Sequence, residues 1–382
     1  MGMRGIAVVL LCLYPGCVDA RLAISGNDGK QLQAGEETGV TPDSVSVIDL
    51  NVYPPKLVGQ VQVPAAMIGP PEAVAVSRDE SFAIVTAAQK VNPADAMHPA
   101  DNDKVSLIDL GQPAKPRVLQ TVDSGAGASG VALNRAQNLV LVAAKMEDAI
   151  IVLRLSGKRL APAGRVDLGK GAVPTDVTFA PDGHHAYVVA QGFNKIMELS
   201  VDGAKVAMTG QDVATGRAPY GASVTADSAW LINTNLAGSL QGEDRTGTLT
   251  IVDLKTHKVA LSLPVGRTPE HVTLSPDGRY AALVLANGAA NTKSDPKYNQ
   301  VTGILKVFAV GPGTLTEVAH ADSCHWAQGA TFSQDGKLIL QQCAAERAIM
   351  VYRFDGQSLV QDKNATLEFQ SRPGAIATGV SR

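Results

Sequence analysis

Aromatic residues are scarce in this sequence, since Phe, Trp and Tyr make up only 4% of its 382 residues. Charged residues are few as well, at 18%, and the formal net charge of −3 offers no basic field to a nucleic-acid backbone. No apolar run reaches the roughly 18 residues that a transmembrane helix needs. Hydrophobic residues still make up 45% of the chain, and there are 37 glycines and 21 prolines. We therefore expect a globular, turn-rich monomer with a core of Val, Ala, Leu and Ile.

The first twenty residues have the layout of an export signal. Arg4 precedes an apolar stretch at 6–13, a helix-breaking Tyr-Pro-Gly follows at 14–16, and small residues stand at Val18 and Ala20. This pattern predicts a signal peptide at 1–20, cleaved after Ala20, and a periplasmic or secreted protein. Acylation of Cys17 is an alternative, but Tyr14 stands where a lipoprotein signal usually has Leu.

Cysteine is nearly absent from the remaining chain. Of the four cysteines, two lie in the leader, which leaves Cys324 and Cys343. An even number of cysteines in an oxidising compartment predicts one disulfide, here stapling neighbouring strands of a hairpin. Two unpaired buried thiols are the alternative.

A unit of 45 to 58 residues repeats seven times along the chain. The apolar residue at the equivalent place in each unit is Val74, Val131, Val177, Ala222, Val272, Ala330 or Ile376. Most units contain four short strands, with Asp-Gly turns such as 182–183 and 277–278 after the first. Four strands per period of this length are typical of a β-propeller blade.

The two ends of the chain complete one shared blade. The segment 21–26 matches a second strand, and the segment 374–380 supplies the missing first strand. We therefore predict an all-β, seven-bladed propeller of four-stranded antiparallel blades in one domain, residues 21–382, whose ring is closed by both termini. A pair of β-sandwiches is the alternative, but sandwiches do not repeat at this period.

The sequence AYVVAQG at 186–192, after a Pro-Asp-Gly turn, and VSVIDL at 45–50 resemble the YVTN family of β-propeller repeats. The resemblance covers the whole chain after the leader. Relatives by architecture include lactonase-type enzymes, the heavy chain of methylamine dehydrogenase, the propeller of nitrous oxide reductase, and periplasmic or surface binding proteins. The resemblance thus implies the fold, and it leaves open whether the protein is an enzyme.

Long connections between second and third strands are expected in four blades, at 26–43, 89–103, 233–247 and 287–303. They emerge on the same face as the blade-to-blade connections, which makes this face the predicted binding surface. Tolerated surface insertions are the alternative.

Cationic residues recur at one place in the blade-to-blade connections. Arg217, Arg267 and His325 occupy equivalent positions in three consecutive blades, and Arg372 is displaced by one residue in the next. Such an arc suits a carboxylate or phosphate. Pairing of each arginine with an acid of a neighbouring blade is the alternative.

Directly behind these positions stand Glu72, Tyr220, Glu270 and His271. We assign Glu72 and Tyr220 to ligand binding, and Glu270 with His271 to acid–base chemistry if the protein is an enzyme. The main hypothesis is a non-catalytic propeller that binds a small anionic molecule or a protein partner. The alternative, which the resemblance raises, is a lactonase-like hydrolase or cyclase using Glu270, His271, Arg217 and Arg267.

No cofactor is predicted. His271, His325 and His98 are the candidate ligands for a transition metal, and acidic residues at 95–103 are candidates for calcium, but neither set has a metal-site spacing. A metal-binding or electron-transfer accessory protein is the third hypothesis, after the binding protein and the hydrolase.

Overall fold

The computed structural model describes residues 21–32, 41–67, 69–95, 97–237, 246–290 and 292–379. The predicted signal peptide at 1–20 lies outside these residues. Within them, the strands form seven antiparallel sheets arranged in a ring, and the fold prediction is confirmed. We number the blades 1 to 7 along the chain, with blade 7 built from both ends.

Each blade contributes one strand to each of four concentric layers. The innermost strands of blades 1 to 7 are Val74–Val76, Ala128–Leu133, Pro174–Phe179, Pro219–Val224, Pro269–Leu274, Ala327–Phe332 and Arg372–Thr378. The second strands are Phe82–Lys90, Leu139–Ala144, His185–Ala190, Trp230–Asn235, Tyr280–Leu285, Leu338–Cys343 and Leu22–Asp28.

The two outer layers follow the same order. The third strands are Ala100–Asp109, Ala149–Ser156, Lys195–Asp202, Gly247–Asp253, Ile304–Gly311, Ala348–Phe354 and Ser44–Asp49. The outermost strands are Arg117–Asp123, Arg159–Asp167, Lys205–Ala214, Lys258–Gly266, Thr314–Asp322, Leu359–Gln361 with Leu367–Glu368, and Lys56–Gln62. Short 3-10 helices occupy Lys145–Glu147, Gln191–Phe193 and Lys363–Ala365.

The core lies between the blades, where small aliphatic side chains of facing sheets interlock. Ile24, Ile84 and Leu141 are fully buried on second strands of three blades, and the outermost strands are mostly exposed. Scarce aromatics fit this arrangement, because adjacent blades leave room only for Val, Ala, Leu and Ile over most of their contact.

Blade 7 closes the ring as expected from its two halves. The strand Leu22–Asp28 pairs antiparallel with Arg372–Thr378, with Ser25 opposite Ile376. The closure therefore ties both ends of the described chain into one four-stranded sheet.

One of the expected long connections is partly strand. In blade 1 the hairpin continues outward, with Gln89 opposite Asp101 and Lys90 opposite Ala100, so the loop shrinks to residues 91–99.

The predicted disulfide is confirmed: Cys324 precedes the inner strand of blade 6 and is bonded to Cys343, the last residue of the second strand. No helix in the described ranges is long and apolar enough to cross a membrane.

Candidate functional site

The blade-to-blade connections end in the same turn in several blades. The carbonyls of Arg217, Arg267 and His325 each accept a hydrogen bond from the backbone N–H of a residue just after the second strand. The residue that follows each of them has a left-handed φ, near 50° in Ala218, Thr268 and Trp326. The sequence alignment thus identified structurally equivalent positions at the mouth of the central channel, on the face with the long connections.

Arg217 and Arg267 differ in exposure despite this equivalence. Arg217 is exposed, whereas Arg267 is half-buried and its guanidinium packs over Gly288, where a Cβ would lie 2.7 Å from the Arg267 Cζ. Gly288 has a left-handed φ of 68°, so both its backbone and its missing side chain make room for this arginine. Two guanidinium groups therefore stand on adjacent blades at the mouth.

His325 is engaged within the protein. Its Nδ1 lies 2.6 Å from Glu346 Oε1, its Nε2 lies 2.6 Å from the carbonyl oxygen of Tyr298, and its ring stacks on that of Tyr298 at 3.6 Å. Both partners are acceptors, so the imidazolium form satisfies both contacts. The contacts hold the connection 287–303 against blade 6.

The Arg372 side chain is also bound within the protein. Its side chain is fully buried, and its guanidinium donates to the carbonyls of Gln31 and Ala344 at 3.0 and 2.8 Å and lies over the ring of Trp326. The residue stands at the first position of the inner strand of blade 7, and these contacts within the protein occupy its guanidinium.

The structure does not bring the candidate metal ligands together. His98 is exposed in the loop of blade 1 and pairs with Asp95, whereas His325 is bound to Glu346. In the part of the chain that the structure describes, the one group of three possible ligands with atoms within 4.8 Å of one another is Cys324, Cys343 and Glu346. The two sulfur atoms of that group form the disulfide and offer no thiolate.

Residues 63–67 and 69–73, which we call the channel linker, run from blade 7 to blade 1 across the mouth. A Cβ on Gly329 of blade 6 would lie 2.7 Å from the Pro71 Cβ, and a Cβ on Gly221 of blade 4 would lie 3.4 Å from the Pro70 Cβ. The linker therefore fits into the mouth because inner strands carry glycine where it passes. Apart from the half-buried Pro64, the described linker residues are buried.

Glu72, at the end of the channel linker, reaches the opposite side of the channel. Its Oε1 lies 3.6 Å from Nε2 of His271 in blade 5. His271 Nδ1 accepts a hydrogen bond from the backbone N–H of Ala330 at 3.1 Å. Because Nδ1 is an acceptor, the neutral ring carries its proton on Nε2, towards the Glu72 carboxylate.

Tyr220 and Glu270 complete this group, which we call the channel cluster with Glu72 and His271. Burial raises the pKa of the Glu270 carboxyl to about 8, so this group is mostly protonated at neutral pH. Burial also raises the pKa of Tyr220 well above its usual value, and the nearby Glu270 and Glu72 carboxyls add to the effect. Four of the predicted site residues are thus brought together, in a site of low polarity.

Three of the four residues of the channel cluster are buried. Glu72, Glu270 and His271 are only 3%, 7% and 4% exposed, whereas Tyr220 is half-buried. A protonated carboxyl, an imidazole and a second carboxylate could perform acid–base chemistry, but these three side chains offer a substrate little exposed surface.

Comparison with known proteins identifies the architecture. No family model and no curated protein sequence matches the chain. Solved structures do match it: a proposed 6-phosphogluconolactonase from Bacteroides uniformis has a TM-score of 0.70 at 17% identity, covering 94% of this chain and 99% of its own. A second such protein, from Bacteroides fragilis, has a TM-score of 0.68 at 15% identity over 96% and 99% of the two chains.

The chain shares its β-propeller fold with these structures. The fold is shared more widely, because a hypothetical selenium-binding protein from Sulfolobus tokodaii has a TM-score of 0.67 at 11% identity, over 95% of this chain and 94% of its own. The resemblance in sequence to YVTN propellers is therefore confirmed for the architecture, and these identities carry no activity with them.

Lys145 is a half-buried cation of this propeller that was not predicted from the sequence. It follows the second strand of blade 2, and its backbone N–H donates to the carbonyl of Gly127 directly before the inner strand. Burial lowers the pKa of its ammonium group. The alignment examined only the residues before the inner strands, so a cation placed after a second strand escaped it.

Proposed function

We propose that this chain is an exported propeller that binds a small anionic molecule, or a partner protein presenting such a group, at the mouth of its channel, without catalysis. The proposal rests on a difference in solvent exposure between two groups of residues. The acid–base residues Glu270 and His271 are buried, whereas the exposed Arg217 and the half-buried Arg267 stand at the mouth on adjacent blades.

The charges at the mouth favour an anion. Arg217 and Arg267 can donate bidentate hydrogen bonds to a carboxylate or phosphate. Lys145 supplies a third cation near the same face, and burial lowers the pKa of its ammonium group. Bringing an anion to these groups would restore the lost solvation.

Two features support export. The disulfide between Cys324 and Cys343 is of the kind that persists in oxidising compartments. The leader-like pattern at 1–20 fits the same location. A periplasmic or secreted protein is thus the coherent interpretation.

The test is a binding screen by calorimetry against small carboxylates and phosphates at low and moderate salt. R217A should weaken binding of a hit about tenfold or more, since one charge-assisted contact contributes about 1.5–3 kcal/mol. The matched control is R279A, because Arg279 is an exposed arginine in a turn on the opposite face of the ring. Equal affinity in both variants would contradict a site at the mouth.

A lactonase-like hydrolase is the second candidate, favoured by the Glu72–His271 contact at 3.6 Å and the protonated Glu270. Purified protein should be assayed with a panel of aldonolactones, including phosphorylated ones. The binding proposal expects no hydrolysis above that of buffer. Turnover that disappears in H271A and E270Q, with folding intact, would replace it by the hydrolase.

A further inference from the structure

The backbone at the start of the described chain is held by a buried carboxylate. The N–H groups of Arg21 and Leu22 both donate to Oε1 of Glu80, at 2.7 and 3.1 Å. Glu80 lies in the turn between the first and second strands of blade 1 and is 7% exposed. The contact therefore joins the N-terminal strand of blade 7 to blade 1, 58 residues further along the chain.

Two amides leave much of the charge of Glu80 uncompensated. Within the described ranges, no Lys, Arg or His side chain lies within the 4.0 Å of an ion pair with Glu80. Burial raises the pKa of its carboxyl, the Arg21 and Leu22 amides lower it, the Arg21 side chain lowers it further, and Asp49 raises it. A positive charge at its oxygen would favour the ionised form of this carboxyl and lower its pKa.

We propose that hydrolysis of the Ala20–Arg21 peptide bond delivers this charge, and that the new α-ammonium of Arg21 forms a buried ion pair with Glu80 that locks the ring. The inference rests on the export proposed above. A leader peptidase uses one water to break the amide bond; Ala20 leaves with a carboxylate, and the Arg21 nitrogen takes up a proton. The nitrogen already points at Oε1, so no rearrangement is needed.

The two processing routes differ in the charge that they would place beside Glu80. The Arg21 nitrogen lies 2.7 Å from Glu80 Oε1, and cleavage after Ala20 would turn this nitrogen into the charged amine. Cleavage before Cys17 would leave four further residues on the chain, and the Arg21 nitrogen would remain an uncharged amide. The proposed ion pair therefore requires a chain that begins at Arg21.

Both ends of the ring meet at this turn. Gly379, which follows the inner strand of blade 7, packs so closely that a Cβ there would lie 3.2 Å from Glu80 Cγ and 2.8 Å from the carbonyl oxygen of Ser77. The carbonyl of Arg21 is fixed by the N–H of Leu50 at 2.8 Å. An ion pair here would hold both chain ends of blade 7 against blade 1.

The test uses four proteins spanning the whole ring, made from a cleavable fusion so that export is not required. They begin either at Arg21 with a free amine or with a Gly-Ser extension before Arg21, and each carries either Glu80 or E80Q. We expect the extension to lower the melting temperature of the Glu80 protein by roughly 2–4 °C and to have a much smaller effect in E80Q. An equal effect of the extension in both backgrounds would overturn the proposal.

A second measurement detects the ion pair itself. Acylation of the α-amine by a succinimidyl ester near pH 7 should be about tenfold slower in the Glu80 protein than in E80Q, because raising the amine pKa by one unit lowers the reactive fraction tenfold. Equal rates would also overturn the proposal.

Processing is tested separately, by expressing the full chain in a secreting host and determining its N-terminus by mass spectrometry. A start at residue 21 supports the processing step. Any other N-terminal residue overturns the processing step. If the protein also stays in the cytoplasm, that result overturns the proposed export as well. The melting and acylation results on the fusion-derived proteins still decide whether Glu80 can hold an amine.

Discussion

Glu270 should make this protein less stable as pH rises through the neutral range. The carboxyl is fully buried and its pKa is raised from 4.5 to about 8 by burial. Between these two values the native state keeps a proton that the unfolded chain releases. The stabilising contribution of the protonated group is therefore fully present below pH 4.5 and is lost as pH rises through about 8.

The size of the effect follows from the two pKa values. Each pH unit in this interval lowers the free energy of unfolding by about 1.4 kcal/mol, which amounts to about 3 kcal/mol at pH 7 and about 4 kcal/mol at pH 8, where half of the native groups are ionised. The substitution E270Q replaces a protonated carboxyl by an amide of nearly the same shape. E270Q should thus match the wild type near pH 4.5 and exceed its stability increasingly above it.

The assay is urea unfolding at half-unit steps from pH 4.5 to 8, followed by the fluorescence of Trp230 and Trp326. E368Q is the control, because Glu368 is an exposed glutamate on the outer edge of blade 6. Its pH profile should follow that of the wild type. Parallel profiles for E270Q and the wild type would refute the assignment of a proton to buried Glu270.

Three further substitutions test the fold around the mouth. The double variant C324A/C343A removes a cross-link between residues 19 apart, which the chain-entropy model predicts will cost about 3 kcal/mol, and dithiothreitol should lower the melting temperature of the wild type but not of the variant. R372M leaves the carbonyls that Arg372 serves without their donor and should lower the free energy of unfolding by about 3 kcal/mol in urea titrations. G329A pushes a Cβ against the channel linker, and should cost about 2 kcal/mol and speed modification of His271 by diethyl pyrocarbonate.

The repeat was enough to predict the fold because every blade buries the same small aliphatic pattern and ends in the same turn. Val131, Val177 and Val272 stand at one place in three blades, and each is fully buried. Such periodic information is local and survives large changes in loop length. The number of blades and the closure by both termini followed directly from it.

The mouth was harder to predict because side-chain direction there depends on distant segments. His325 occupies the same turn position as Arg217, yet it is drawn to Glu346 and to Tyr298 of a long connection. Arg372, displaced by one residue, falls within an inner strand and is buried. A repeat alignment carries no information on either contact.

The channel cluster contains residues that the sequence indicated as candidates, but the contact between them was not predicted. Glu72 and His271 belong to blades 1 and 5, and they approach only because the channel linker carries Glu72 across the mouth. The glycines that admit the linker, Gly221 and Gly329, were the available signal. Glycine within a strand often marks the close approach of another backbone.

The anchoring of the channel linker bears on both of the functions proposed above. The buried Lys30 forms ion pairs with Asp28 and Asp43 at 3.1 and 3.0 Å, and these carboxylates accept hydrogen bonds from the linker N–H groups of Met67 and Ala65. Withdrawing the linker would break these two hydrogen bonds to charged groups, which contribute about 1.5–3 kcal/mol each and together about 4 kcal/mol. An opening that costs about 4 kcal/mol is populated in roughly one molecule in a thousand. Hydrolysis in the channel would be limited to that fraction, whereas an anion can reach Arg217 with the linker in place.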